Sequence, residues 1–117
     1  MYSLPDSFTG DFLVGKKVVV LSFCKYHFDI FFSDNCWIHV ESGFELYEKG
    51  DLIEKGTAFP LRNTVLVRLL EEVVVEVRRL EEEGLSLIFG DMELVIIGNI
   101  GPYEAYRVSD GTHEFLV

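Results

Sequence analysis

The chain repeats one strand–turn–strand pattern, and this repeat constrains the fold more than any single motif does. Residues 28–47 read FDIFFSDNCWIHVESGFELY, and residues 85–106 read LSLIFGDMELVIIGNIGPYEAY. In each copy an alternating apolar segment ends in Phe, a turn containing Asp follows, and a second alternating segment leads to an aromatic–Glu–x–Tyr motif. The repeat predicts two β-hairpins of common design. The matched residues are Phe32 with Phe89, Asp34 with Asp91, Ile38 with Leu94, and Glu45 with Glu104.

The first copy specifies its own strand register. A three-residue loop at 33–35 collects apolar residues on one face, whereas a loop one residue shorter would place His39 opposite Ile30 and mix the faces. We therefore predict the longer loop. It gives three inward pairs, Phe28–Val40, Ile30–Ile38 and Phe32–Cys36, and three outward pairs, Phe31–Trp37, Asp29–His39 and His27–Glu41.

The second copy gives the same result with a different turn. Gly90-Asp91 form a two-residue turn with glycine first, as a type II′ turn requires. The apolar face then consists of the pairs Phe89–Met92, Leu87–Leu94 and Leu85–Ile96, and the other face carries Ser86, Ile88, Glu93, Val95 and Ile97.

The segment between the copies fits two interpretations. Asn63-Thr64 is a suitable N-cap, and Leu66, Leu69 and Leu70 would share the apolar stripe of a short helix. One helix over 63–83, capped by Gly84, also fits the spacing. The β-branched run at 73–75 favours a strand there. We predict a short helix over 63–72 followed by a strand, and a last hairpin over 103–117.

Together these elements predict an α+β fold, mostly antiparallel β, in which two repeated hairpin units enclose one short helix. A length of 117 residues corresponds to one domain. We predict a single domain over 1–117, with the first hairpin unit at 16–47, the helix at 63–72 and the second hairpin unit at 73–108.

Charge and cysteine content narrow the classes of partner. The net charge is −10, from 20 acidic and 10 basic residues, which argues against binding to nucleic acid or to an anionic membrane surface. A protein partner or a homodimer is compatible with it. Cys24 and Cys36 would lie roughly 20 Å apart at opposite ends of a hairpin, so we expect free thiols. With no basic and apolar leader at the first residues, we expect a cytoplasmic protein.

The outward face of the first hairpin is the candidate binding surface, with Phe31 and Trp37 as its apolar centre and Asp29, His39, His27 and Glu41 beside them. Two alternatives stay open at this point. The face is either covered by another element of the fold or exposed as an apolar patch for a partner.

Catalytic and metal chemistry find weaker support in the residue pattern. Asp29 could orient His39 for acid–base work, with Cys24 or a serine as nucleophile, but no nucleophile-elbow motif is present. His27 and His39 belong to different cross-strand pairs, which argues against joint metal ligation. Glu45 and Glu104 could approach as a carboxylate pair, although surface positions explain them more simply. We predict no catalytic residue, no metal and no cofactor.

The stretch from Val73 to Val108, with LSLIFGDMELVI followed by GPYEAYRV, resembles a family of small uncharacterised bacterial domains. These have a duplicated strand–turn–strand, a short helix between the copies and a Tyr-Glu-Ala-aromatic motif. The chain departs from them at Gly90-Asp91-Met92, where such domains more often have Asp-Gly. Some members resemble immunity proteins of bacterial toxin systems. The resemblance implies a non-enzymatic protein-binding domain, either an immunity-type inhibitor or a self-associating module. The alternative is a small hydrolase or ligand-binding enzyme using Asp29 and His39.

Overall fold

The computed structural model describes residues 3–98 and 101–117; positions 1–2 of the lead-in and 99–100 of the predicted second unit lie outside it. The described chain forms two antiparallel sheets of five strands each. The strands are β1 (Val18–Phe23), β2 (Phe28–Phe32), β3 (Trp37–Val40), β4 (Phe44–Glu48), β5 (Asp51–Gly56), β6 (Glu76–Arg79), β7 (Leu85–Phe89), β8 (Met92–Ile96), β9 (Tyr106–Ser109) and β10 (Glu114–Leu116).

The two sheets have the same strand order when the halves of the chain are compared. The first sheet runs β1-β2-β3-β9-β10, and the second runs β6-β7-β8-β4-β5. Each half thus supplies three strands to one sheet and then a hairpin that pairs with the third strand of the other half. The two halves of the chain therefore exchange hairpins. The hairpin from each half covers the edge of the third strand of the other half, which would otherwise be unpaired.

The predicted registers of both hairpins are confirmed. In β2 and β3, Ile30 lies opposite Ile38, and the loop Ser33–Asn35 forms a 3₁₀ turn. In β7 and β8, Leu87 lies opposite Leu94, and Gly90 has the positive φ, 66°, that its turn requires. The alternating pattern alone was sufficient here, because a slip of one residue would turn the apolar face to solvent.

The alignment of Glu45 with Glu104 is wrong. Phe44 lies opposite Ile96 in the second sheet, whereas Tyr106 lies opposite Val40 in the first. Tyr106 is therefore the counterpart of Phe44. The matched aromatic–Glu–x–Tyr motifs are out of step by three residues, because the backbone pairing, and not the local similarity, decides which residues are equivalent.

The inner faces of the two sheets pack against each other and form one core. The rings of Phe28 in the first sheet and Phe44 in the second meet edge to face, with centroids 5.4 Å apart, and both are fully buried. Burial of each such side chain stabilises the fold by about 1.5–3 kcal/mol. The largest fully buried side chains are Leu13, Phe28, Ile30, Ile38, Phe44, Leu46, Leu66, Leu69, Leu85, Leu87, Leu94 and Tyr106.

The prediction of an α+β fold is wrong: the described residues form an all-β structure with only 3₁₀ turns. Where the helix was predicted over 63–72, a 3₁₀ segment spans Val65–Leu69, and Thr64 caps it by accepting a hydrogen bond from the Leu66 amide at 3.1 Å. Leu66 and Leu69 are buried, and Leu70 is exposed. The reason is geometric, since residues i and i+3 share one face of a 3₁₀ turn.

The longer helix over 63–83 is also excluded. Glu71 has a φ of 72°, in the left-handed region, and the chain then extends along β1. The Val74 amide donates to the Lys16 carbonyl at 2.9 Å, before β6 begins at Glu76. Among the described residues, no helical segment has the length and apolar character needed to cross a membrane.

Candidate functional site

Alternate residues of β1, β2, β3 and β9 point outward from the first sheet and form rows across it. The register aligns Val20, Phe31 and Trp37 in an apolar row, which ends at the buried Ser109 on β9. The next row is polar and consists of Ser22, Asp29, His39 and Arg107. Two chemically different surfaces therefore lie side by side on one face.

The apolar row borders an open groove of about 520 Å³, which we call the aromatic groove. Val20 is 49% exposed and Phe31 is 38% exposed, so this part of the face is open to solvent. The predicted facing of Phe31 and Trp37 is confirmed. The groove is lined by Val19, Val20, Phe31, Phe32, Asn35, Cys36, Trp37 and Gly111.

The polar row contains a network centred on Asp29. This carboxylate accepts a hydrogen bond from His39 Nδ1 at 2.7 Å, which confirms the predicted pair. Its second oxygen lies 3.2 Å from His27 Nε2. The expected contact partner of Glu41 was His27, but the Glu41 carboxylate lies 3.7 Å from His39 Nε2 instead. The side chains interact diagonally because they lean along the strands.

The two imidazole rings are close together, with centroids 4.2 Å apart. The two histidines nevertheless belong to different groups of potential metal ligands, as their separate cross-strand pairs predict. Two groups of three potential metal ligands result, each with ligand atoms within 4.8 Å of one another. One group consists of Cys24, His27 and Asp29, and the other of His39, Glu41 and Glu104.

Glu104 and Arg107 reach this face from the last hairpin. Arg107 Nε donates to Glu104 at 2.9 Å. A hydrogen bond to Glu104, followed by burial, raises the pKa of Glu41 above its ordinary value. Burial acts to raise the pKa of Glu104, but hydrogen bonds with Glu41 and Arg107 outweigh it, so the net pKa is lowered. The pKa values of the two carboxyl groups therefore shift in opposite directions.

Three residues of this face were not predicted as parts of the binding surface, although Cys24 was considered as a nucleophile for His39. Glu104 and Arg107 lie on the last hairpin, and only the pairing of β9 with β3 brings them to the site. Cys24 lies opposite His27 across a two-residue turn, and the backbone amide of Cys24 donates a hydrogen bond to the His27 carbonyl at 2.9 Å. The Cys-x-x-His spacing was a local signal for this contact. Glu45 lies on the second sheet and bonds to Tyr47 at 2.9 Å.

The second sheet has different residues at the equivalent outward positions. The register places Ser86 and Val95 where the first sheet has Asp29 and His39. Ser86 donates a hydrogen bond to Glu93, the counterpart of Trp37. The combination of an aromatic groove and a histidine–carboxylate network is therefore particular to the first sheet.

The arrangement can bind an apolar side chain in the groove and a cation beside it, and Asp29 can hold one tautomer of His39. Scans against protein-family models, curated proteins and solved structures found no match for the chain.

Proposed function

We propose that this chain is a non-enzymatic protein-binding domain, of the kind that an immunity-type inhibitor represents, acting in the cytoplasm. The outer face of the first sheet docks a basic protein partner. The observation that carries the proposal is the exposed aromatic groove around Phe31 and Trp37, since open apolar patches with polar rims are typical of protein interfaces.

Comparison between the sheets supports this assignment. Where the first sheet has Phe31 opposite Trp37, the second has Ile88 opposite Glu93. Both sheets have the same strand order and bury equivalent inner residues, so scaffold requirements do not account for a large aromatic pair on one outer face. Trp and Tyr are the residue types most enriched at binding hot spots.

Charge favours a basic partner over a second copy of the chain. The net charge of −10 opposes self-association. Asp29 belongs to the polar row next to the groove, and Glu41 and Glu104 extend the acidic region beyond His39. Of these three carboxylates, only Glu104 forms an ion pair with Arg107. A partner that presents an apolar side chain surrounded by Lys or Arg would match both rows and associate rapidly.

A hydrolytic function at Asp29 and His39 has less support. The other ring nitrogen of His39, Nε2, lies 3.7 Å from the Glu41 carboxylate. An imidazole base activates a hydroxyl or thiol nucleophile, and Glu41 offers neither. Cys24 is grouped with His27 and Asp29 rather than with His39.

The test uses three immobilised full-length baits in a lysate of the source cells: wild type, the double variant F31A/W37A and the control L52A/Y103A. The control removes exposed apolar groups from other parts of the surface. Captured proteins are identified by mass spectrometry, purified, and titrated against each bait by calorimetry.

We expect a basic protein to bind wild type and control equally and F31A/W37A at least about tenfold more weakly, as loss of interface anchors predicts. Equal binding to all three baits would contradict the assignment of the groove. A dimer in sedimentation that F31A/W37A abolishes would replace the proposal with self-association, and a chain that stays a monomer and captures no partner would refute it.

A further inference from the structure

Three different metal-binding groups meet where β1 turns into β2. Lys25-Tyr26 form the tip of the turn, which brings Cys24 and His27 face to face. Asp29 follows two residues later on the same side of β2, as strand alternation requires. The Cys24 sulfur, a His27 ring nitrogen and an Asp29 oxygen all lie within 4.8 Å of one another.

The spacing of these atoms suits a tetrahedral ion. His27 Nε2 lies 3.2 Å from Asp29 Oδ2. With zinc–ligand bonds of about 2.0–2.1 Å, neighbouring nitrogen and oxygen ligands of a tetrahedral site are roughly 3.3 Å apart. An ion could therefore bind both atoms with little movement of either side chain.

A neighbouring histidine holds the carboxylate in position. The other carboxylate oxygen of Asp29, Oδ1, accepts the 2.7 Å hydrogen bond from His39 Nδ1. Ligating carboxylates and imidazoles in metal sites are usually oriented by such outer hydrogen bonds. The side chains of His27 and Asp29 are 28% and 16% exposed, so an ion can enter and is still shielded from bulk water.

We propose that Cys24, His27 and Asp29 form a zinc-binding site with three protein ligands and a fourth position open to water. Binding would deprotonate the Cys24 thiol and release that proton to solvent, leaving thiolate, neutral imidazole and carboxylate on the ion. This inference goes beyond the proposed protein-binding function and does not rest on it.

The neighbouring group of His39, Glu41 and Glu104 is the weaker ligand set. Arg107 Nε already occupies Glu104 at 2.9 Å, and its positive charge opposes a second cation. That group also lacks sulfur, whereas thiolate and imidazole together select zinc over magnesium or calcium. Glu104 is therefore a suitable control position.

The experiment uses reduced, metal-free, full-length protein. Zinc is titrated in competition with a chromophoric chelator, and cobalt(II) is used as a spectroscopic substitute. We expect one ion per chain and a cobalt spectrum with tetrahedral visible bands and a thiolate charge-transfer band. C24S and H27Q should each weaken zinc binding at least about tenfold. H39L, which removes the outer hydrogen bond, should weaken it by about tenfold.

C36S and E104Q are the matched controls, and both should bind zinc as wild type does. The cobalt spectrum is measured on the unaltered chain, so it is informative even if a variant folds poorly. A cobalt spectrum without a thiolate band would overturn the proposal. Zinc affinity that C24S leaves unchanged but E104Q weakens would also overturn it and move the site to His39, Glu41 and Glu104.

Discussion

Phe44 of β4 and Tyr106 of β9 occupy equivalent positions in the two sheets. Phe44 lies opposite Ile96 and Tyr106 opposite Val40, and both side chains are fully buried. They differ by one hydroxyl group, which donates a hydrogen bond from Tyr106 to the Glu83 carbonyl at 2.7 Å. Burial raises the pKa of Tyr106 well above its ordinary value, so the group remains a neutral donor.

The substitution Y106F should destabilise the fold by about 1–2 kcal/mol, because it leaves the Glu83 carbonyl without this donor. Urea unfolding followed by Trp37 fluorescence measures the loss. Tyr103, which is 75% exposed, provides the control Y103F, and this variant should unfold as wild type does. Equal stability of Y106F and wild type would show that the hydrogen bond contributes nothing.

The carboxylate pair predicts a dependence of stability on pH. The folded-state pKa of Glu41 is raised, so its favourable contribution is present below the ordinary carboxyl pKa and is lost as pH rises through the folded value. The pKa of Glu104 is lowered, so its contribution is present above the ordinary pKa and is lost as pH falls through the folded value.

The substitution E41Q tests this sign, because an amide can donate to Glu104 at any pH. The free energy of unfolding of E41Q, relative to that of wild type, should increase as the pH is raised from about 4 to about 8. The gain should stay below about 1 kcal/mol, since solvent screens a partly exposed pair. Urea unfolding at both pH values measures the gain, and a difference that does not change with pH would contradict the raised pKa of Glu41.

The substitution E104Q should have the opposite effect near neutral pH, because Arg107 then loses the nearer of its two carboxylate partners. The same urea series measures the change. If E104Q were as stable as wild type at about pH 8, the ion pair would be a surface contact without energetic consequence.

The two cysteines should react at different rates. Cys36 is 3% exposed and burial raises its pKa, whereas Cys24 is only half-buried. Since the thiolate is the reactive form, a colorimetric disulfide reagent should label Cys24 quickly and Cys36 only after unfolding. C24S should remove the fast phase. Two fast phases in the folded protein would contradict the placement of Cys36 in the core.

Local pattern was sufficient to predict the hairpins and the facing pairs Phe31–Trp37 and Asp29–His39. Each hairpin buries one face, and a period of two residues leaves one register that does so. The contribution of Glu104 and Arg107 could not be predicted in this way. It depends on the pairing of β9 with β3, between segments far apart in the chain, for which the sequence contains no local signal.

The helix prediction failed for a different physical reason. The spacing of Leu66 and Leu69 suits both an α-helix and a 3₁₀ turn, and only the placement of Leu70 distinguishes them. The chain continues as a 3₁₀ turn and an extended segment because residues 72–75 pair with the edge of β1 and then with β7. Tertiary pairing thus overrode the local preference.

Hydroxyl-radical footprinting of the free chain and of its complex with the captured partner tests directly whether the outer face of the first sheet is the binding face. The second sheet provides an internal control, because Ile88 and Tyr47 occupy the positions equivalent to Phe31 and Ser109. We predict that oxidation of Phe31 and Trp37 falls in the complex while that of Ile88 and Tyr47 does not change. Unchanged oxidation of Phe31 and Trp37 in a saturated complex would contradict the claim.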